Sequence, residues 1–194
     1  MNNSIELALA VLRNGGVLLY PTDTVWGLGC DATNSDAVNR IVELKGRSEQ
    51  QSFILLANSM DQVEQYVDQV PEIAYSLIAV SDTPLTIIYP SARSAVQHKE
   101  GLAPKVIAAD GTVAIRVVRH PFCNALLQKF RKPIVSTSAN FTGHPAPMNF
   151  AAIDPELCKQ VDYCVDPLFE PPSTGKPSSI VKLALNGEIQ IIRP

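Results

Sequence analysis

The chain has 194 residues, with 16 Lys+Arg against 19 Asp+Glu, a formal net charge of −3 and 46% hydrophobic residues. That length fits one good-sized domain spanning 1–194, large enough to bury its own core, and the mildly acidic balance argues against a basic nucleic-acid coat protein while leaving room for a local basic groove. No apolar run reaches the roughly 18 residues a membrane helix needs, and the start, Met-Asn-Asn-Ser-Ile-Glu, has neither a basic opening nor an apolar core, so no membrane anchor and no signal peptide are expected.

In chain order, residues 4–14 read as a helix with Ser4 as N-cap and Asn14-Gly15-Gly16 as stop, as capping preferences dictate. Val17-Leu18-Leu19-Tyr20 is a short buried strand running into Pro21. Residues 35–45 are helical, with Ala37, Val38, Ile41, Val42 and Leu44 as the apolar stripe. A central strand follows at 53–57, then helices near 60–68 and over 70–80, and strands at 85–89 and 112–117. Pro121 opens a helix through Phe130, the favoured first helical position for proline. Residues 133–138 form a strand ending in hydroxyls, and the tail offers strands at 163–165, 179–183 and 189–192, with Asn186-Gly187 as a hairpin turn. Helices and strands alternate at first, and strands then dominate. The class is α/β with a mixed sheet.

Four cysteines (Cys30, Cys123, Cys158, Cys164) and three histidines (His98, His120, His144) show no zinc-like spacing. Cys30 and Cys123 are expected as packed thiols in a reducing cytoplasm. No metal site built from protein side chains is expected.

Four segments carry more polar chemistry than packing requires. Pro21 to Asp31 follows a buried strand and holds Thr22, Thr24, Trp26 and two glycines. Such a loop either holds a small polar ligand against an aromatic wall or is an ordinary hydrogen-bonded turn. Lys45 and Arg47 close the second helix, where they suit either a polyphosphate or the negative end of the helix dipole. Ser136-Thr137-Ser138-Ala139-Asn140 offers hydroxyls and an amide, without the GxSxG of a hydrolase elbow. Gly175-Lys176-Pro177-Ser178-Ser179 precedes a strand, with Arg116 and Arg193 at strand ends elsewhere. Arg116 interrupts an apolar strand, and a buried arginine must find an anion.

The ordered set PTDTVWGLGCDA (21–32), ELKGR (43–47), LTIIYPS (85–91), VAIRV (113–117) with the following HP, STSANFTGHPA (136–146), GKPSSIV (175–181) and IIRP (191–194) resembles the YrdC/Sua5-type threonylcarbamoyl-AMP synthases. The resemblance runs over about residues 5–194 and is to the short, single-domain YrdC form. It implies a twisted open mixed sheet with flanking helices and a large concave groove, a YrdC/RibB-like fold. It also implies a reaction: L-threonine, bicarbonate and ATP, with Mg²⁺ on the phosphates, give L-threonylcarbamoyladenylate and pyrophosphate. That is the first step of N6-threonylcarbamoyladenosine formation in tRNA, carried out in the cytoplasm, with tRNA-modification proteins downstream and RNA contact as a further partner. The carbamate is already anionic, so attack on the α-phosphate needs positioning and charge stabilisation rather than a side-chain base.

By motif, the resemblance assigns Lys45, Arg47, Ser136, Ser138, Asn140 and Arg193 to ATP, and Thr22, Arg116 and Ser178 to threonine. Thr24 and Trp26 are further candidates for the site wall. The heads of Lys45 and Arg47 are expected at the rim of one cleft, pointing inward. The family's KxRP…KPL reads here KGRSEQQSF, with Ser48 and Gln51 replacing a proline and a lysine. Lys182 stands where an aspartate is common. Two alternatives share much of this pattern: a double-stranded RNA-binding, translation-associated module, and a YciO-like paralogue acting on another small substrate.

Overall fold

The computed structural model describes residues 1–46, 53–170 and 176–194. Its helices are α1 (Asn2–Arg13), α2 (Ser35–Lys45), α3 (Met60–Glu64), α4 (Ile73–Val80), α5 (Pro121–Phe130) and α6 (Pro155–Gln160). Its strands are β1 (Leu18–Tyr20), β2 (Gly27–Gly29), β3 (Ile54–Ala57), β4 (Leu85–Tyr89), β5 (Val113–Val117), β6 (Ile134–Ser138), β7 (Tyr163–Cys164), β8 (Ser179–Leu183) and β9 (Ile189–Arg193). Among the described residues these nine strands form one sheet in the order β7-β1-β2-β6-β3-β5-β4-β8-β9. Parallel pairs (β3 with β5, β4 with β8) alternate with antiparallel ones (β3 with β6, β4 with β5), so the sheet is mixed as expected.

Most elements fall where periodicity put them, and the differences have local causes. Helix α1 begins at Asn2, with Met1 rather than Ser4 in the capping position and no side-chain cap. Helix α3 is only about one turn long: Ser59 caps its start, and just past its end Val67 is drawn into an antiparallel bridge with Ala92. Strand β2 is a correction, since two glycines in three residues argue against strand. Here close approach of neighbouring backbones demands them: a Cβ on Gly29 would lie 2.5 Å from Val135 O and 2.5 Å from Tyr20 Cε1. Helix α6 was also unanticipated. Asp154 caps it by accepting from Glu156 N, and Pro155 occupies its first turn.

Register decides which residues face the site. Val135, Leu55, Ile115, Ile87 and Val181 are successive partners across β6, β3, β5, β4 and β8, so they share one face. The first four are essentially fully buried and belong to the core. The rows on either side point the other way: Ser136, Ile54, Ala114 and Ile88 in one, Arg116, Thr86 and Ile180 in the other. Elsewhere α1 packs on α5, and Ile5, Leu9 and Leu12 of α1 and Phe122, Leu126 and Phe130 of α5 are buried in the core. Among the described residues no helix is long and apolar enough to cross a membrane.

Candidate functional site

The two outward-facing rows floor a groove of about 410 Å³, whose lining includes Thr24, Gly27, Ile54, Ala114, Arg116, Ser136, Ser138, Ser178 and Arg193. Two arginines and several hydroxyls therefore share it with an apolar floor of Ile54, Ile88, Ile180 and Ile192. No carboxylate is among its described lining. Such a surface suits a ligand that joins an anion to a flat apolar body.

Arg116 is 3% exposed on β5. Its anion is the carboxylate of Asp23, 3.1 Å from Nη2, delivered by the loop after β1. Asp23 is itself held by the backbone N–H of Arg119, which donates to Oδ2 at 3.2 Å. Arg193, on edge strand β9, donates from Nε to Ser178 O at 2.8 Å, and its Nη2 lies 3.4 Å from Ser178 Oγ. Ser178 Oγ is in turn 2.8 Å from Thr86 Oγ1. Burial, and then the neighbouring charge of Arg116, lower the pKa of Arg193. The two guanidinium groups thus feel one another across the groove.

Lys45 is 4% exposed. Its ammonium donates to Ser138 O at 2.8 Å, to Asn140 Oδ1 at 2.9 Å and to Asn140 O. Those contacts brace the end of β6, and Asn140 completes the brace by donating from Nδ2 to the carbonyls of Phe141 and His144. Thr22 is 3% exposed. Its hydroxyl donates to Val25 O at 2.7 Å and lies 3.0 Å from Thr24 Oγ1, so Thr22 supports Thr24, which lines the groove.

The thiols are packed. Burial pushes the Cys30 and Cys123 pKa values well up, and Cys123 donates to Pro21 O at 3.1 Å. Among the described residues no three His, Cys, Asp or Glu side chains are grouped to hold a metal ion.

The Sua5/YciO/YrdC family model, described as telomere recombination, matches residues 10–194. The chain belongs to the Sua5/YciO/YrdC family. A threonylcarbamoyl-AMP synthase of Pseudoalteromonas translucida is 34% identical over 191 residues, 96% of each chain. One from Coxiella burnetii is 35% identical over 189 residues, covering 96% of this chain and 95% of that relative. Among solved structures, a variant of P. abyssi Sua5 aligns at a TM-score of 0.85 with 28% identity, covering 98% of this chain and 56% of its own. A P. abyssi Sua5 complexed with L-threonine aligns at 0.79 with 28% identity over 92% of this chain and 50% of its own. The present chain thus spans little more than half the length of that protein. E. coli YciO aligns at 0.82 with 23% identity over 100% of this chain and 89% of its own, which bears on fold alone.

Of the family residues named from sequence, the groove's described lining includes Ser136, Ser138, Arg116, Ser178 and Arg193, together with Thr24. Lys45, Asn140 and Thr22 are not among that described lining, and their hydrogen bonds brace the segments that carry Ser138 and Thr24. Lys45 is buried with its ammonium on Ser138 O and Asn140, and Arg47 lies outside the described residues, as do 48–52. Trp26 is 3% exposed and is absent from the groove lining. It packs on Phe150, and its indole N–H donates to Glu170 at 2.6 Å. Two residues escaped the sequence reading. Thr86 lies inside an apolar strand, and its only signal was a hydroxyl where a fourth aliphatic residue would serve. Asp23 was passed over between two threonines, although the buried arginine required just such a carboxylate.

Proposed function

We propose that this chain makes L-threonylcarbamoyladenylate from L-threonine, bicarbonate and ATP, releasing pyrophosphate, as a step toward threonylcarbamoyladenosine in tRNA. The observation that carries the reading is the buried Arg116, whose Nε has no hydrogen-bond partner in a groove it shares with the Ser138 and Arg193 side chains. A guanidinium edge in that position fits the carboxylate of an amino acid, and the hydroxyls of Ser178 and Thr24 lie in the same lining to read its other polar groups. Ser136, Ser138 and Arg193 are assigned to the nucleotide, with Lys45 and Asn140 acting through the turn they brace. Thr22 acts through Thr24. Arg47 is assigned to the phosphates by sequence motif alone.

In this scheme threonine carbamate supplies the nucleophile. Its oxygen forms a bond to the α-phosphorus as the bond to the bridging β-phosphate oxygen breaks, and pyrophosphate leaves with that electron pair. The protein contributes alignment and positive charge, the main levers in phosphoryl chemistry. Mg²⁺, implied by the family resemblance, would come with the phosphates and supply charge neutralisation there.

The test is pyrophosphate release, measured complete and with threonine or bicarbonate omitted. Release should require both. Arg116→Lys keeps the charge but loses the fork, and should abolish most threonine-dependent release while ATP still binds. Release indifferent to threonine would transfer the chain to the YciO-like alternative. Salt-sensitive RNA binding without ATP turnover would transfer it to the RNA-binding one.

A further inference from the structure

Arg116 and Asp23 form a buried pair with an unusual deficit on each side. Their side chains are 4% and 15% exposed, and Asp23 Oδ1 stands 3.1 Å from Arg116 Nη2. That contact is ionic without being a directed hydrogen bond, so Asp23 Oδ1 and Arg116 Nε are both buried with no hydrogen-bond partner. A buried polar atom left unmatched carries a desolvation cost, and native structures leave few of them. Here an unmatched acceptor on an anion adjoins an unmatched donor on a cation. The other oxygen of Asp23 is fixed by Arg119 N–H, which keeps the carboxylate in place beside the guanidinium.

The charge of this pair decides what it can accept. Arg116 alone would attract any carboxylate. Arg193, whose charge is coupled to that of Arg116, is assigned to the nucleotide's anion. At the Arg116 guanidinium itself the charge is balanced by Asp23, which contacts it without belonging to the groove's described lining. A bare carboxylate there would set two anions against that one cation in a poorly solvated pocket. An α-amino acid differs, because it carries its own ammonium next to its carboxylate. Its carboxylate meets Arg116 while its ammonium offsets Asp23, and the sum of charges stays at zero.

Resting on the reading of Arg116 as the carboxylate subsite, we propose that Asp23 is a specificity-determining residue that makes this subsite select the zwitterion of an α-amino acid over a simple hydroxy-carboxylate. Asp23 does this by charge balance at the guanidinium. It reads the presence of the amino group that must later be carboxylated.

The test compares L-threonine with (R)-3-hydroxybutanoate, which keeps the carboxylate and hydroxyl and lacks the amino group. Titration calorimetry on the wild-type protein should favour L-threonine by about tenfold or more, the scale of one charge-assisted interaction. In Asp23→Asn the preference should shrink by about tenfold, with hydroxybutanoate binding unchanged or tighter and ATP binding unchanged. Equal binding of both ligands by the wild type would overturn this proposal alone, and that arm needs no variant to fold. A parallel loss of both ligands in Asp23→Asn would also overturn it, since Asp23 would then merely brace Arg116. Failure of L-threonine to bind the wild type, with ATP still bound, would overturn the threonine reading and this proposal with it.

Discussion

Arg193 fastens Ser178 to the sheet edge, donating from Nε to its backbone carbonyl at 2.8 Å and approaching its hydroxyl with Nη2 at 3.4 Å. One arginine near the end of the chain thus sets the position of a hydroxyl on the groove wall. Arg193→Lys retains the charge and loses the fork. It should lower ligand affinity by about tenfold, within the range of charge-assisted bonds, while the melting temperature stays nearly constant. Unaltered ATP and threonine affinities in that variant would remove Arg193 from the site.

Thr86 tests the other side of the same serine. It is fully buried, and its Oγ1 lies 2.8 Å from Ser178 Oγ. Thr86→Val preserves shape and removes the hydroxyl, leaving Ser178 with the 3.4 Å approach of Arg193 Nη2 as its remaining described side-chain partner. Stability should fall by about 1–2 kcal/mol, the cost of one buried hydrogen bond with an unmatched partner left behind. Urea unfolding measures this directly, and a change below the experimental error would mean the two hydroxyls are not coupled.

What was legible from sequence and what was not divides along these residues. Strand β5 was plain from its run of apolar residues, and Arg116 was plain as the anomaly inside it. Its partner Asp23 was not, because 93 positions separate them and nothing local points from one to the other. Ser178 and Arg116 came together through the resemblance of ordered motifs, not through periodicity. Strand β2 defied propensity because backbone crowding, which lives in three dimensions, chose its glycines. Lys45 and Asn140 were assigned to the nucleotide through two separate motifs, yet their bond to each other was invisible until α2 and the end of β6 were placed together.

The glycines of β2 separate packing from function. A Cβ on Gly29 would meet Val135 O at 2.5 Å and Tyr20 Cε1 at 2.5 Å, so backbone must shift. Gly29→Ala should cost about 2–3 kcal/mol, as overpacking of a tight core does. At Gly27 the nearest atoms, Ser136 Oγ and Thr137 O, lie at 3.4 Å, an ordinary contact. Gly27→Ala should therefore cost about 1 kcal/mol or less in unfolding free energy. Gly27 lines the groove, so its methyl should still weaken ligand binding. Equal destabilisation by the two substitutions would contradict the close approach described for β2.

Lys45 gives a prediction of opposite kind, large in stability and indirect in binding. Replacing it by Met keeps the aliphatic volume and removes the donor from Ser138 O, Asn140 O and Asn140 Oδ1. The buried carbonyls then lose a charged partner, and unfolding free energy should drop by about 2–3 kcal/mol. ATP affinity should fall as the 138–140 turn loosens. Weakened ATP binding with unchanged stability would instead assign the ammonium to the nucleotide itself.

The acid limb of stability should report on His120. It is 5% exposed at the start of α5, with Nε2 3.2 Å from Phe169 O and Nδ1 buried without a hydrogen-bond partner. Burial is the largest influence and holds its pKa below the ordinary imidazole value of 6.5, against the opposing pull of Phe169 O and Asp23. The folded protein therefore binds fewer protons at this site than the unfolded chain. Stability must rise with pH across the interval between the two pKa values and fall as pH drops below about 6.5. Asp110 acts lower down: hydrogen bonding from Lys182 first, and then from Thr112, brings its carboxyl to about 2, so its contribution is lost only between 3.8 and that value. Urea midpoints at pH 7.5 and 5.5 should show a larger drop for the wild type than for His120→Gln, which cannot take up a proton. Identical drops in both proteins would place the acid sensitivity elsewhere.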